Sequence, residues 1–135
     1  ADIAELAKAA ERGGADAVTA INTVKAMVID IETGRPVLGN KMGGLSGPAI
    51  KPIAARCIYE IYEAVKIPVI GCGGITTWRD AVEFIQAGAA AVQIGTAIAA
   101  KGVHVFKQVT DGIENFMSLK GFGGLEEIVG LSHRN

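Results

Sequence analysis

The sequence predicts an α/β fold in which parallel strands are covered by helices. Its short glycine-rich loops suit an α/β barrel or a doubly wound sheet, and it reads as the C-terminal portion, about strands 6–8, of a (β/α)8 TIM barrel. Three observations point there. Short apolar runs without polar alternation recur, separated by amphipathic stretches, which is the pattern of strands buried on both faces. Two successive runs, "VIGCGG" at 69–74 and "VQIGTA" at 92–97, stop at glycine and lead into helix-like stretches. Only three such strands occur, and three parallel strands standing alone leave two long unpaired edges. No linker or low-complexity segment divides the 135 residues, so residues 1–135 read as part of one domain.

The elements follow in order. "DIAELAKAAER" places Ile3, Leu6, Ala7 and Ala10 on one helical face, and Gly13 with Gly14 stops that helix. The chain opens on Ala1 in mid-pattern, which reads as a start inside a longer protein. "ADAVTAIN", residues 15–22, is short, apolar and bounded, hence a buried strand. Residues 24–45 differ. β-like runs at 27–31 and 36–38 flank "ETGR", a turn whose Gly34 suits positive φ, giving a hairpin-like excursion that ends in "GGLSG" at 43–47. Pro52 suits the first turn of a helix with Ile53, Cys57, Ile58, Ile61, Tyr62 and Val65 at helical spacing. The second strand covers 67–71. Thr77 with Asp80 three residues later resembles a capping box, opening a helix that runs to Gly88. Residues 90–95 make the third strand. A short helix at 96–100, a longer one at 103–117 with Val105, Phe106, Val109, Ile113 and Phe116 inward, and a last helix at 124–130 close the chain.

Composition excludes several classes of function. Half the residues are hydrophobic and a fifth are charged, so a sizeable core can be buried. Net charge is −1 with no basic block, which gives a nucleic-acid surface no electrostatic support. Cys57 and Cys72 do not make a disulfide framework, and the expectation is a reduced, cytoplasmic protein. The most apolar stretch, 81–100, is interrupted by Glu83, Gln86 and Gln93, which argues against a membrane span. His104 and His133 lack metal-ligand spacing, so no metal site is expected. Cys57 reads as a buried core thiol and Trp78 as packing. Lys25, Lys41 and Lys51 read as solvated or loop charges, and Asp80 with Glu83 as an exposed helix face.

The glycines carry the functional signal. A phosphate needs several backbone N–H donors aimed at one point, and glycine lets the main chain approach closely with positive φ. "GCGG" and "IGTA" would lie side by side on one rim of a parallel sheet, where barrels build phosphate sites from adjacent loops and a short extra helix. The Thr96 hydroxyl adds a donor. "INT", 21–23, ends the first strand on that rim, with an amide and a hydroxyl able to read a planar ligand. No dinucleotide-type G-x-G-x-x-G is present.

With "INT", "GGLSGPAIKP", "GCGGI" and "IGTA" in that order, the chain resembles dihydroorotate dehydrogenase over essentially its whole length. The excursion with Ser46 in "GGLSG" is most similar to the class 1B form. The resemblance implies an FMN flavoprotein that oxidises dihydroorotate to orotate in de novo pyrimidine (UMP) biosynthesis. It implies that Ile21, Gly47, Gly73, Gly74, Gly95 and Thr96 hold FMN and that Asn22 and Thr23 contact the substrate. It further implies a homodimer whose electrons reach NAD through a partner subunit carrying FAD and a 2Fe–2S cluster. The family's base cysteine and flavin lysine are expected upstream of Ala1, so no catalytic residue is assigned within this segment, which is expected to be inactive alone. The alternative is a non-redox phosphate-binding TIM-barrel enzyme, which shares the glycine loops but does not call for "INT" or "GGLSGPAIKP". A third reading is a non-enzymatic half-barrel that self-associates through its open strand edges.

Overall fold

The computed structural model describes residues 2–134. Its centre is a three-stranded parallel sheet in the order β1 (Val18–Ala20), β6 (Val69–Cys72), β7 (Ala89–Gln93). Register pairs Ala20 with Gly71, and Cys72 with Gln93, so the three strands end level with one another. Both β1 and β7 are edges, as expected from three strands. The exposure of Ala90 and Ala91 within β7 reflects that.

Helices α1 (Ile3–Arg12), α2 (Lys51–Ala64), α3 (Trp78–Ala87), α4 (Ala97–Lys101) and α5 (His104–Lys120) surround the sheet. Asp2 caps α1 by accepting from the Ala4 and Glu5 N–H groups, and Leu6 turns outward while Ala7 is buried. The core is built from Ala54, Ile58 and Ile61 of α2, Val69 of β6, Ala81 and Phe84 of α3, and Val105 and Val109 of α5. Gly71 is where the sheet and helices meet most closely. A Cβ there would stand 2.8 Å from the Ile58 side chain and 2.9 Å from the Phe84 ring. Phe84→Ala is therefore expected to destabilise the fold by about 3–5 kcal/mol, because the surrounding strands and helices cannot collapse into the space. Chemical denaturation checks this, with exposed Leu119→Ala as the near-neutral control.

The excursion holds two short ladders. β2 (Val24–Ala26) pairs antiparallel with β5 (Gly43–Leu45), and farther out β3 (Ile29–Asp30) pairs with β4 (Arg35–Pro36) around a turn with Gly34 at φ 66°. Strand β3 lies inside the run read at 27–31, β4 meets the run at 36–38 only at Pro36 because Arg35 joins the strand instead of the turn, and the inner ladder was not foreseen. Its function is geometric: it returns the chain so that Ser46 and Gly47 follow a strand paired to the one that begins just after Thr23.

Several expected faces differ. Ile53 and Phe106, read as inward, are 39% and 46% exposed. The last helix at 124–130 is replaced by two 3₁₀ turns, Leu125–Glu127 and Leu131–His133. Gly124 and Gly130 flank the first of them, and Arg134 binds the Glu127 and Val129 carbonyls in place of a helical ladder. His133 stacks on Tyr59 at 3.8 Å between ring centroids, and its Nε2–H donates to the Ala87 carbonyl at 2.7 Å, tying the C-terminal turn to α2 and α3. Among the described residues, no helix is long and apolar enough to cross a membrane.

Candidate functional site

A cavity of about 200 Å³ opens at the level C-terminal ends of β1, β6 and β7. Ile21, Asn22 and Thr23 line it just beyond β1, and Gly73 and Gly74 just beyond β6. Gly95 and Thr96 line it from the loop after β7, and Gly47 from the end of the excursion. Thus every site residue singled out in the sequence lies on one rim. Ser46, Ile50, Cys72, Thr76 and Gln93 line the cavity as well and were not assigned. Ser46 had a signal in "GGLSG"; Gln93, an exposed residue in an apolar strand, had none.

The glycine conformations explain the composition. Gly73 has φ 134° and Gly74 φ 78°, both unfavourable for other residues. A Cβ on Gly74 would stand 2.7 Å from the Gly47 carbonyl and 2.9 Å from the Lys51 backbone nitrogen. The loop after β6, the end of the excursion and the start of α2 therefore close on one another without room for a side chain. Among the described residues, the backbone N–H groups of Gly73, Gly74, Gly95 and Thr96 have no protein acceptor. Orphan donors on a shared rim beside the start of α4 are what an anionic group requires. The Thr96 hydroxyl donates to Ser46 Oγ at 2.8 Å, linking the loop after β7 to the excursion. Asn22 Oδ1 accepts from the Thr23 N–H at 2.7 Å. Ile21 and Ile50 give the cavity an apolar wall.

Behind the loop lies a charged cluster. The capping box is formed as read: the Thr77 hydroxyl accepts from the Asp80 N–H, and Asp80 accepts from the Thr77 N–H. Asp80 also accepts from the Thr76 N–H and hydroxyl and from Lys51 Nζ at 2.9 Å. Asp80 and Lys51 thus depart from the sequence reading. Asp80 is not part of an exposed face, its side chain being 13% exposed, and Lys51 is not a solvated loop charge but bridges Asp80 and Glu83. Burial pushes the Asp80 carboxyl up, but the bonds from Lys51, Thr76 and Thr77 outweigh it and hold the group at about 2. The hydrogen bonds that Lys51 donates to Asp80 and Glu83 push its ammonium up.

The sign of the pH dependence follows. Asp80 titrates lower folded than unfolded, so its stabilisation is complete above its ordinary value of 3.8 and fades as pH falls toward 2. The expected loss over that window is about 2 kcal/mol. Asp80→Asn should flatten it, which denaturation midpoints between pH 2 and 5 will read.

Cys57 is buried in α2, as expected, and burial raises its thiol. Trp78 packs on Gly112 of α5 and stands 5.8 Å from the Phe116 ring, a helix contact away from the cavity. Lys25 and Lys41 are exposed. Among the described residues, no three His, Cys, Asp or Glu converge as metal ligands would.

The family model for dihydroorotate dehydrogenase matches residues 1–117. The chain belongs to the dihydroorotate dehydrogenase family. It is 57% identical over 133 residues to a Methanosarcina acetivorans protein named dihydroorotate dehydrogenase B (NAD(+)), catalytic subunit, covering 98% of this chain and 42% of that one. It is also 57% identical over 131 residues to the Pyrococcus horikoshii protein of the same name, covering 97% of this chain and 43% of that one. The chain thus spans less than half the length of these relatives. DHODH from Eimeria tenella, solved in complex with ferulenol, matches with a TM-score of 0.80 at 30% identity, over 98% of this chain and 35% of that one. The α/β fold is therefore one this chain shares with a solved member of the family.

Proposed function

We propose that residues 1–135 are the C-terminal part, strands 6–8, of an FMN-binding (β/α)8 barrel that oxidises dihydroorotate to orotate in de novo pyrimidine biosynthesis. The observation that carries this reading is the rim. Three parallel strands end level, and the loops beyond them present orphan N–H donors, those after β6 on positive-φ glycines, around an apolar-walled cavity. Two unpaired sheet edges and the greater length of the relatives support further strands completing the barrel.

The donor set fits a flavin mononucleotide. Gly73, Gly74, Gly95 and Thr96 would hold its phosphate through neutral amides and a hydroxyl, Gly47 would lie along the ribityl-phosphate side, and Ile21 would pack against the ring. When bound, FMN supplies the acceptor for the hydride taken from the substrate. Asn22 and Thr23 would orient the substrate's planar amide-rich ring by donating and accepting hydrogen bonds, and the apolar wall would keep water from the reacting face. The proton-abstracting base and the lysine supporting the flavin would come from outside this segment. The relatives' name, a catalytic subunit of an NAD(+) enzyme, supports a partner subunit, which in this reading carries FAD and a 2Fe–2S cluster beside a homodimer of catalytic chains in the cytoplasm.

The test is titration of the full-length protein carrying this segment with FMN and, separately, with riboflavin, followed by flavin fluorescence. Saturable FMN binding with much weaker riboflavin binding is the expected result. No FMN binding by a folded protein would overturn the reading.

A further inference from the structure

The residues that shape the candidate phosphate loop are not the ones that line it. The segment 73–77 after β6 is held from behind by three helices. From α3, Asp80 Oδ2 accepts from the Thr76 N–H at 2.9 Å, the Thr76 hydroxyl at 3.0 Å and the Thr77 N–H at 3.0 Å. From α2, Lys51 Nζ donates to Asp80 Oδ1 at 2.9 Å and pairs with Glu83 at 2.9 Å. From the end of α4, Lys101 Nζ donates to the Thr76 carbonyl at 2.8 Å. Lys51 also reaches the loop through its own backbone. Its Cβ and nitrogen lie 2.9 Å from where a Gly74 side chain would begin. Lys51, Asp80 and Lys101 are absent from the cavity wall.

Building on the FMN reading above, we propose that Asp80 and Lys51 are positioning residues that fix the turn carrying Gly73 and Gly74, and so set affinity for the phosphate without touching it. A backbone anion site works only if its N–H groups already converge, because every degree of freedom left in the loop must be frozen when the anion arrives. Positive-φ glycines permit the required conformation but do not enforce it, since glycine adopts many others. Enforcement comes from Asp80. One carboxylate gathers the Thr76 and Thr77 N–H groups and the Thr76 hydroxyl, and its second oxygen is pinned by Lys51, whose own helix forms the floor under Gly74. These charge-assisted bonds are stronger than neutral ones and act on a largely buried group.

The sign of the effect separates positioning from simple electrostatics. Asp80→Asn removes a negative charge near an anion site, so field effects alone would tighten FMN binding. Lys51→Met removes a positive charge, so field effects alone would weaken it. Positioning makes both weaken it. In the full-length protein, each substitution is expected to lower FMN affinity by at least about tenfold, as is usual when the residues supporting a ligand shell are removed. Riboflavin, which lacks the phosphate, should bind each variant as it binds the wild type, and Lys51→Arg should restore most of the FMN affinity. A general loss of structure would lower both affinities together. If Asp80→Asn fails to fold, Asp80→Ser keeps a short acceptor for the cap while losing the Lys51 pair and takes its place. An unchanged ratio of FMN to riboflavin affinity, or tighter FMN binding by the Asp80 variant, overturns the proposal while leaving the FMN reading intact. Absence of FMN binding by the wild type overturns both.

Discussion

Gly74→Asp is expected to reduce FMN affinity by at least about 100-fold, which corresponds to roughly 3 kcal/mol. Three effects act in the same direction. Gly74 has φ 78°, and a side chain in that region costs about 1–2 kcal/mol per residue. The new Cβ would stand 2.7 Å from the Gly47 carbonyl oxygen and 2.9 Å from the Lys51 nitrogen. Both are backbone atoms, so no flexible side chain can swing aside and the loop itself must move. The added carboxylate then stands where the phosphate is proposed to bind, and like charges repel. Gly34→Ala is the control. It has positive φ as well, at 66°, but its Cβ would meet nothing within 4 Å, and it lies in the outer hairpin. It should cost some stability and leave flavin binding unchanged. FMN affinity within threefold of wild type in a folded Gly74→Asp protein would remove Gly74 from the site.

The parts of this site that were legible in the sequence are those written in local patterns. β1, β6 and β7 lie in short apolar runs, the last two stopping at glycine, and their order indicates which loops share a rim. Thr77 and Asp80 stand three residues apart and form the capping box expected of them. Local patterning also shows what it cannot reach. Lys51 and Asp80 are 29 residues apart, and on a helical wheel Asp80 with Glu83 shows only two acids on one face. Nothing in the spacing says that a lysine from another helix lies against them. The β2 and β5 ladder was missed because Gly43 and Gly44 weaken any strand signal. Their smallness has a structural use, since a Cβ on Gly44 would strike the Thr23 side chain. Glycine there lets the returning strand pass beneath a residue of the rim.

Face assignments failed where no element among the described residues covers the face. Phe106 recurs with the apolar positions of α5 yet stands 46% exposed beside the groove formed with Val92 and Ile94 on the open side of β7. Periodicity marks which side chains prefer burial but not which element supplies it. In the proposed barrel, a strand beside β7 would cover this groove. The C-terminal turns failed for another reason: helical periodicity at 124–130 was outweighed by the glycines that flank it and by Arg134, which satisfies the freed carbonyls.

The 135-residue chain by itself is expected to oxidise dihydroorotate no faster than a protein-free control, a larger effect than any point substitution above. The cavity wall carries this expectation. Proton abstraction needs a titratable group within hydrogen-bond reach of the proton. Among the residues lining the cavity, Cys72 alone can titrate; the others are aliphatic residues, glycines, hydroxyls and amides. Cys72 immediately precedes the Gly73 and Gly74 turn assigned to the phosphate, and its carbonyl accepts from the Ile21 N–H at 2.7 Å, which seats it within the sheet. Cys57 is buried in α2, with its thiol raised by burial, away from the cavity. The proposed reading therefore gives Cys72 to the phosphate loop and takes the base from outside this segment. Two measurements separate this from a mere failure to fold. Circular dichroism and a cooperative melt report whether the isolated chain folds, and co-expression with the remaining part of the barrel should restore turnover. In that reconstituted enzyme, Cys72→Ser should lower kcat by less than about tenfold, well short of the 10²–10⁴ that loss of a general base costs. Turnover by the isolated chain, or collapse of kcat in Cys72→Ser with FMN still bound, would move the base into this segment and assign it to Cys72.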